Sequence, residues 1–505
     1  MTAPQPRGTH PIDGRRWQRH QGLTVTLIVL LLVVGLDLGG AFDREAPARS
    51  RSGATRPTAV RGVTDTSIKV VLYQPPESDA VSKLVAQFVA PEDDNAEAAA
   101  TVRGFINVLA KGNPALHGRS IEVVPFTGSA NLLDSVAARA DAVKIAEDIR
   151  PFAVLNGPLL GTAFADELAS RKVLCLLCVV GGSNDFYASH APYVWSLQTT
   201  PEQVAAQVAE YVDKRLVGRR AAFAGERDLR RSTRRLGLIS VKGPFGAAGL
   251  GPSVTTELDR RDVELAESVA YGDANGVNQV QASLIGRLRA RGVTTIIYGG
   301  DPIALGSLMA EATRQDWFPE WVMTGGFSSE RTSWGRPNDP RQMRHAFGVT
   351  PLAPPALSPD KDIILRLYRD ANGGKEPPAH QSAQLNWAPV FLLFSALGDG
   401  SDLTGRGVQR SMFRSEPIGG DPATPYIPLI SYGRRGLWPY PDYAGLDDFA
   451  EIWWDPTANG RDEFGERGRG MWRFADDARR YVPRSWPSGP PHAFVRRSAV
   501  TAVAN

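Results

Sequence analysis

The sequence lacks the short motifs that mark the common enzyme classes. It contains no H-E-x-x-H zinc motif, no G-x-S-x-G nucleophile elbow and no G-x-x-x-x-G-K-S/T phosphate loop. Its seven histidines are scattered, and none is placed to form an H-x-x-H pair. The carboxylate pairs Asp93-Asp94 and Asp447-Asp448 are expected to face solvent, because acidic side chains are usually hydrated. The sequence therefore favours a binding protein over an enzyme, with no catalytic residue, no metal ligand and no cofactor.

The chain also has little excess charge of either sign. It carries 57 Lys and Arg residues against 54 Asp and Glu residues, which gives a formal net charge of +3. No basic stripe interleaves with aromatic residues as it does in nucleic-acid binders, so no nucleic-acid partner is expected. The basic run Arg227–Arg235 is interpreted as a solvated loop.

Long apolar runs are absent except near the N-terminus. Leu23–Leu36 carries no charge and follows Arg15, Arg16 and Arg19. Its fourteen residues suit a signal peptide, whereas counting through Phe42 reaches the length of about 20 residues that a membrane span needs. The arginines before the run place the N-terminus inside and the rest of the chain outside the cytoplasm.

This N-terminal region is divided into three segments. We expect a basic cytoplasmic N-terminus at 1–21, a signal anchor or signal peptide at 22–42, and a flexible tether at 43–63. An uncleaved single-pass anchor in the cell membrane is favoured; cleavage would leave the protein secreted. No cysteine follows the apolar run, so a lipid anchor is not available.

Only two cysteines are present, Cys175 and Cys178. An even count in an exported chain favours a disulfide. Three extended residues would separate the two Cα atoms by about 10 Å, however, and a disulfide tolerates less than about 7 Å. A disulfide therefore requires Leu176-Leu177 to bend, and a structural disulfide and a pair of buried thiols both stay open. Redox catalysis and zinc are not supported, because this motif lies in an apolar strand and no second cysteine pair exists.

The most informative pattern is an alternation of strand and helix. Val293–Tyr298 is an apolar run that ends in Gly299-Gly300-Asp301, and a helical pattern follows over Ile303–Thr313. A second apolar run, Trp321–Met323, ends in Thr324-Gly325-Gly326. This order predicts a βαβ unit whose strands end in glycine-rich turns at one edge of a parallel sheet. Open α/β sheets bind ligands at that edge.

The same construction recurs upstream. Further apolar runs that end in turns are Ile68–Tyr73, Phe152–Leu155, Val173–Val180 and Leu236–Val241. The helical patterns between and around them are Ala96–Leu109, Leu133–Ile149, Thr162–Ala169, Pro201–Leu216 and Gln279–Ala290. Strands alternating with helices in this way predict an α/β fold with doubly wound parallel sheets.

Several motifs occur in the order and spacing of one known family. Gly62–Val70 is similar to its first strand, His117–Val124 to its second strand, and Asn156-Gly157-Pro158 to its Gly-Pro turn. Tyr298-Gly299-Gly300 resembles one of its ligand loops. The chain thus resembles the type I periplasmic binding proteins, in particular the Leu/Ile/Val-binding branch that feeds ABC transporters. The resemblance covers roughly residues 62–420.

The resemblance implies two doubly wound lobes joined by hinge crossovers. The expected segments are 64–199 and 346–430 for lobe 1, 200–345 and 431–487 for lobe 2, and 488–505 for a disordered tail. Ala383–Leu397 resembles the long helix that returns to the first lobe in this family.

The resemblance also implies a function. Proteins of this family capture a small molecule between their lobes by hinge closure and deliver it to an ABC importer. The expected partners are therefore a small-molecule ligand, an ABC transporter permease and, through the N-terminal segment, the membrane. The alternative is a ligand-sensing or scaffold protein that reuses the binding fold without transport.

Ligand contacts in this family come from the turns after the strands of both lobes. By resemblance, the hydroxyl after the Gly-Pro turn falls at Thr162, and the small-residue run with a hydroxyl falls at Gly181-Gly182-Ser183. A stacking aromatic residue falls at Phe245. The full set of expected ligand-binding residues is Gln74, Gly157, Thr162, Gly181, Gly182, Ser183, Phe245, Tyr298, Asp301 and Gly326.

One departure from the family bears on the ligand. The acidic residue that pairs with the ammonium group of an amino acid would fall near Gly325-Gly326-Phe327, and no acid is there. A desolvated ammonium group without a counter-charge is strongly disfavoured. Unless Asp301 substitutes, the ligand is expected to lack an amine; an organic acid, an amide, a sugar-like and a lipidic molecule all stay open.

Overall fold

The computed structural model describes most of the chain, in the segments 60–77, 92–129, 134–158, 161–242, 249–273, 276–326, 328–356, 358–421, 423–424 and 426–502. The expected signal anchor, most of the expected tether and Phe245 lie outside these segments. Within the segments, none of the helices combines the length and the apolar composition that a membrane span requires.

The described segments alternate between strands and helices, as the sequence predicts. The strands are β1 (Ser67–Gln74), β2 (Ser120–Thr127), β3 (Ala153–Leu155), β4 (Leu174–Leu176), β5 (Val194–Trp195), β6 (Leu236–Val241), β7 (Leu265–Tyr271), β8 (Thr295–Gly299), β9 (Glu320–Met323), β10 (Ala346–Thr350), β11 (Phe449–Arg461), β12 (Arg467–Phe474) and β13 (Arg480–Tyr481). The helices are α1 (Asn95–Ala110), α2 (Ser135–Lys144), α3 (Ala163–Ser170), α4 (Asn184–Ser189), α5 (Pro201–Tyr211), α6 (Arg227–Arg231), α7 (Leu250–Asp259), α8 (Val277–Ala290), α9 (Pro302–Arg314), α10 (Thr332–Gly335), α11 (Pro340–Met343), α12 (Ile363–Ala371), α13 (Ala383–Leu397) and α14 (Gly405–Arg414).

Lobe 1 is built on a five-stranded parallel sheet in the order β2-β1-β3-β4-β5. The inner strand β1 is buried along most of its length because the sheet is covered on both faces. The edge strand β2 instead alternates between exposed and half-buried residues. Helix α1 begins at a capping box in which Asp94 and Glu97 each accept a backbone N–H of the other. Helix α13 packs against α1 and returns the chain to this lobe, as expected.

Lobe 2 is built on a larger mixed sheet in the order β12-β11-β10-β9-β8-β6-β7. The strands from β6 to β10 pair in parallel, whereas β11 and β12 form an antiparallel hairpin beside β10, and β13 also pairs with β11. The buried strands carry apolar runs rather than an alternating pattern, since helices lie on both faces. The mixed α/β architecture with parallel sheets is therefore as predicted.

The division between the lobes differs from the expected one. Strand β10 belongs to lobe 2, not to lobe 1, because it pairs with β9 on one side and with β11 on the other. In that ladder Phe347 lies opposite Trp453, and both side chains are buried in the core of lobe 2. Conversely, the segment 431–446 lies with lobe 1, where Tyr432 and Tyr443 join its core.

The expected disordered tail is also wrong for the residues that the structure describes. Val500 forms a bridge with Phe474 at the edge of lobe 2. Ala493 is buried, and its N–H donates to the Glu451 carboxylate at 2.9 Å. Phe494 packs against Phe347, with ring centroids 6.1 Å apart. These apolar and hydrogen-bonded contacts hold 488–502 onto the sheet.

The segment around the two cysteines bends away from the expected strand Val173–Val180. Strand β4 ends at Leu176, and Leu177 has a left-handed φ of 61°. This bend brings the Cα atoms of Cys175 and Cys178 within 5.6 Å, and the structure joins them by a disulfide. The sequence leaves open a disulfide or two buried thiols, and the structure contains the disulfide. The bend at Leu177 is the one that this disulfide requires.

Lobe 2 contains ion pairs in which both side chains are buried. The Arg234 guanidinium donates to both oxygens of Glu320 at 2.7 and 2.9 Å, and both side chains are enclosed. Glu320 also accepts a bond of 2.7 Å from the Thr295 hydroxyl. Arg215 donates to Glu451 at 3.0 Å. Charges buried this deeply are stable only while both partners are present.

The basic run Arg227–Arg235 is thus only partly the solvated loop that the sequence predicts. Its short helix α6 has no buried residue. Arg234, by contrast, turns into the lobe because Glu320 and the start of the sheet enclose it. A local charge pattern does not reveal this burial, since the partner lies 86 residues away.

Candidate functional site

In the part of the chain that the structure describes, the chain passes between the lobes three times, each time at the carboxyl edge of the parallel strands. It leaves lobe 1 after Trp195 at the end of β5 and leaves lobe 2 after Thr350 at the end of β10. It enters lobe 2 again at Phe449, beside Thr350 in the β10–β11 ladder. The first and third passages are joined where the Ser196 N–H donates to the Tyr443 carbonyl at 3.0 Å. The turns that follow the strands of both lobes therefore face this junction.

Two of the expected ligand residues, Gln74 and Gly157, lie at this edge but are engaged in packing. Gln74 is only 5% exposed, and its side-chain amide donates to the Asn95 carbonyl at the start of α1. A Cβ atom on Gly157 would lie 2.7 Å from the Cys178 carbonyl oxygen, so only glycine fits there. Both residues shape the edge rather than present a free polar group.

Thr162 precedes α3 and takes part in a chain of polar contacts. Its hydroxyl donates to the Asp166 carboxylate at 3.0 Å, and Asp166 contacts His190 Nε2 at 3.0 Å. The hydroxyl hydrogen is thus already used, and a ligand could only donate to the Thr162 oxygen. These contacts tie the start of α3 to the end of α4.

The turn Gly181-Gly182-Ser183 begins α4, where Gly181 has a left-handed φ of 69°. The Ser183 hydroxyl accepts from the Phe186 N–H at 3.1 Å, and it can still donate its own hydrogen to a ligand. The next N–H, of Asn184, donates to the Glu202 carboxylate at 3.2 Å. Glu202 lies on α5 of lobe 2, so this turn already carries one contact between the lobes.

In lobe 2, Asp301 and Tyr298 are brought together at the end of β8. Asp301 caps α9: its Oδ1 accepts from the N–H groups of Ile303 and Ala304 at 3.0 and 2.9 Å. Its Oδ2 accepts from the Tyr271 hydroxyl at 2.5 Å, and the Tyr298 hydroxyl donates to the Asp301 carbonyl. Burial raises the pKa of Tyr298 well above its usual range. Asp301 is 3% exposed and both of its carboxylate oxygens already accept hydrogen bonds, which argues against it as the counter-charge of a ligand ammonium group.

Gly326 lies beyond the end of β9, beside helix α7. A Cβ atom there would lie 2.7 Å from Leu250 Cδ2, so a larger residue would have to displace the Leu250 side chain. Phe245, the expected stacking residue of this lobe, lies outside the described residues and stays a prediction.

Reasoning from the sequence misses Glu330, an acid in the turn after β9. It is 5% exposed, and the Thr350 hydroxyl donates to its Oε1 at 2.9 Å. Its Oε2 has no hydrogen-bond partner among the described residues. Burial raises the pKa of Glu330 to about 7. The resemblance places an acid near Gly325-Gly326-Phe327, and Glu330 lies three residues beyond that motif, so the motif alone did not indicate it.

The acids Asp447-Asp448 at the junction are buried, which corrects the expectation that they face solvent. Asp448 pairs with Arg480 at 2.8 Å. Asp447 accepts from the Trp438 indole N–H at 2.6 Å and from the Ser431 hydroxyl at 2.5 Å. These donors come from residues before and after the acids along the chain, and they replace the water that an exposed carboxylate would bind.

Asp447 and Asp442 form a pair of carboxyl groups at the third crossing. Asp442 Oδ1 accepts from the Gln203 amide at 3.0 Å and from the Ala444 N–H at 2.9 Å, whereas its Oδ2 has no donor among the described residues. Burial raises the pKa of Asp442 to about 6. Burial and the neighbouring Asp442 raise the pKa of Asp447 to about 8. When Asp447 is protonated, its carboxyl group can donate to Asp442 and so supply the missing donor.

Comparisons with known proteins agree with this architecture. No protein-family profile matches the sequence, and no curated protein matches it either. A fatty acid ABC transporter substrate-binding protein from Thermomonospora curvata has 15% identity and a TM-score of 0.52, and the match covers 85% of this chain and 97% of that chain. A branched-chain amino acid transporter substrate-binding protein from Streptococcus pneumoniae, in complex with isoleucine, has 12% identity and a TM-score of 0.52, with 81% and 99% covered.

A third structure is the solute-binding protein of an ABC transporter from Rhodopseudomonas palustris HaA2, in complex with p-hydroxybenzoic acid. It has 11% identity and a TM-score of 0.52, with 80% of this chain and 97% of that chain covered. Similarity at these identities establishes the fold. The two-lobed fold of the Leu/Ile/Val-binding type of substrate-binding protein, which the sequence predicts, is therefore confirmed.

Proposed function

We propose that the protein is an extracytoplasmic solute-binding protein that captures a small molecule between its lobes and delivers it to an ABC importer. The observation that carries this proposal is the junction at which the carboxyl edges of two parallel sheets meet at three chain crossings. Ligands of open α/β sheets bind at such edges. The compared structures support the same role, since each is named as a substrate- or solute-binding protein of a transporter.

Capture follows from the connection between the lobes. The crossings form a narrow joint, so the lobes can rotate towards each other as rigid bodies. A ligand that contacts turns of both lobes favours the closed state by its extra contacts there. The turn at Ser183 in lobe 1 and the turn around Gly326 in lobe 2 are the two sides of this proposed site.

The residues at these turns limit the ligand chemistry. The Ser183 hydroxyl is placed to donate to a carbonyl or carboxylate group. Asp301 is buried and both of its carboxylate oxygens already accept hydrogen bonds, whereas Oε2 of Glu330 has no partner among the described residues, so an ammonium group would have to pair with Glu330. Burial raises the pKa of Glu330 to about 7, which makes it a weak counter-charge at neutral pH. We therefore favour a ligand with a carboxylate or carbonyl group and without an amine.

The proposal is tested by a thermal-shift screen of metabolite classes followed by hydrogen exchange with the stabilising compound. Ligand is expected to slow exchange at 181–186 in lobe 1 and at 324–330 in lobe 2 together, because only the closed state buries both turns. Protection confined to one lobe would contradict capture between the lobes.

The role of Ser183 is tested by Ser183→Ala. Loss of the hydroxyl is expected to weaken binding of the screened ligand by about 2- to 10-fold, which corresponds to about 0.5–1.5 kcal/mol for one hydrogen bond. The change also removes the cap of α4, so a stability loss of about 1 kcal/mol accompanies it. Ser189→Ala, at the other end of the same helix, is the matched control and should leave affinity unchanged. Equal affinity for wild type and Ser183→Ala would remove Ser183 from the site.

Delivery to an importer is tested separately from binding. Cells that lack the protein are expected to lose uptake of the ligand found by the screen. Normal uptake in such cells, with tight binding in vitro, would favour the alternative of a ligand-sensing or scaffold protein.

A further inference from the structure

Arginines without acidic partners gather at the pole of lobe 2 that lies opposite the junction. They stand on the segments that precede its strands, at the amino edge of the sheet, whereas the crossings leave from the carboxyl edge. These arginines are Arg219, Arg220, Arg227, Arg230, Arg231, Arg235, Arg289 and Arg344. Within the described segments none of them forms an ion pair, in contrast to neighbours such as Arg260 and Arg314.

The loop 217–235 joins these arginines into one surface. The Gly225 N–H donates to the Phe318 carbonyl before β9 at 2.8 Å. The Arg235 guanidinium donates to the Arg291 carbonyl before β8 at 3.2 Å. The loop therefore runs across the starts of neighbouring strands and carries its charges over them.

Two of the arginines act on the same imidazole. Burial first, and then the positive charges of Arg344 and Arg230, lower the pKa of His345 to about 4. His345 lies between Arg344 and the first residue of β10, and its Nδ1 contacts the Phe223 carbonyl of the loop at 2.6 Å, so the loop and the start of β10 lie close together.

Acids only partly balance this surface. Glu226 and Asp228 lie on the loop 217–235, and the Glu226 carboxylate accepts the Phe318 N–H at 3.0 Å. Asp316 precedes β9, Asp339 precedes β10 and pairs with Arg341, and Asp259, Asp262 and Glu264 precede β7 beside Arg260 and Arg261. Several of the guanidinium groups are held by backbone carbonyls, such as that of Gln315, which accepts from Arg289 at 2.7 Å. A carbonyl orients a guanidinium group without cancelling its charge, so the positive charge stays available.

We propose that this arginine surface docks on the anionic headgroups of a phospholipid bilayer. A guanidinium group matches the geometry of a phosphate with two parallel hydrogen bonds. Each basic residue near an anionic bilayer adds about fivefold to affinity.

The composition of the surface favours lipid over a protein partner. Protein interfaces centre on buried aromatic and apolar anchors. Among the described residues, Val217 is an exposed large apolar side chain of this surface, at 37% exposure, and exposed Val495 lies beside it, because the neighbouring Phe494 packs on Phe223 of the loop. The large hydrophobic side chains that are exposed among the described residues include no aromatic residue. A surface with excess positive charge and without an exposed aromatic anchor fits a charged bilayer face better than a protein patch.

The test uses the full chain with lipid nanodiscs and measures hydrogen exchange of the arginine surface. This local measurement reports on that surface whether or not the N-terminus also inserts into the bilayer. Hydrogen exchange at 219–233 is expected to be at least about tenfold slower with phosphatidylglycerol discs than with phosphatidylcholine discs at low salt. The difference should vanish near 1 M salt, where the Debye length falls to about 3 Å.

Two sets of variants, each of which removes three arginines, distinguish binding through this surface from a general effect of net charge. Arg227→Gln, Arg230→Gln and Arg231→Gln together remove three charges from exposed α6 and should abolish the protection. Arg406→Gln, Arg410→Gln and Arg414→Gln remove three exposed charges from α14 of lobe 1 and should leave it intact. Equal exchange in both lipids, or protection that survives the α6 changes, overturns the proposal. Protection that arises only with an acidic protein would assign the surface to a protein instead.

Discussion

Replacing Glu320 with glutamine is expected to lower the free energy of unfolding by about 3–5 kcal/mol. The Glu320 carboxylate is fully buried and neutralises Arg234 through two bonds of 2.7 and 2.9 Å. It also accepts from the Thr295 hydroxyl and the Phe223 N–H, at 2.7 and 2.9 Å. Glutamine keeps the shape but leaves the guanidinium charge without a counter-charge, and its amide hydrogens face groups that are themselves donors. Urea unfolding of both proteins measures the difference.

A second acid of the same lobe provides the control. Glu267 pairs with Arg287 at 2.7 Å, but the arginine side chain is 54% exposed. Solvent screens such a pair, so Glu267→Gln is expected to cost less than about 1 kcal/mol. If Glu320→Gln costs no more than the control, the buried pair does not hold this part of lobe 2 together.

Raising the pH from about 4.5 to 8.5 is expected to reduce the free energy of unfolding through the pair Asp442 and Asp447. In the folded chain burial raises the pKa of Asp442 to about 6, and burial with the second carboxylate raises that of Asp447 to about 8. In the unfolded chain both ionise near pH 4. Between these values the folded state binds more protons, so its stability falls as pH rises. A shift of about two units, as for Asp442, corresponds to about 3 kcal/mol.

The variant Asp447→Asn isolates this effect. Asparagine can still accept from Trp438, and its amide can donate to Asp442 Oδ2, the oxygen that has no donor among the described residues. The variant should therefore be more stable than wild type at pH 8.5 and less sensitive to pH. Glu330 titrates in the same direction, so the difference between the two pH profiles is the quantity to compare.

Asp316→Asn, at an exposed position, serves as the control for this experiment and should keep the wild-type profile. Identical pH profiles for wild type and Asp447→Asn would show that the carboxyl pair does not titrate in this range. Thermal or urea unfolding at each pH gives the measurement.

The course of the sheets could be predicted because it depends on local patterns. Apolar runs such as Leu236–Val241 become buried parallel strands with the expected bounds, and Pro201 begins a helix where the sequence predicts one. Local patterns could not assign strand β10 to the correct lobe. Its five residues would suit a buried strand of either lobe, and its pairing with β9 and with β11, which begins about a hundred residues later, assigns it to lobe 2.

The site could be predicted only in part, for a related reason. The turns at Ser183 and Gly326 follow from the ends of strands, and the structure places both beyond the carboxyl ends of their strands. What each polar group binds depends on distant partners. Asp301 accepts a hydrogen bond from Tyr271, which lies 30 residues away along the chain. Asp447 accepts from Trp438, and the sequence of the pair Asp447-Asp448 does not indicate this donor. Residue type shows which groups can bind, whereas burial and partners determine which are already used.

The crossings between the lobes also constrain how the chain folds during synthesis. The sheet of lobe 1 is complete by Trp195, yet α13, which covers it, is made about 190 residues later. The sheet of lobe 2 likewise stays incomplete until β11, which begins at Phe449, has been synthesised. A nascent chain therefore exposes apolar surface of both lobes until nearly all of it has emerged. Contacts of such long range slow folding and prolong exposure to aggregation, so newly made chains are expected to need a chaperone until β11 is available.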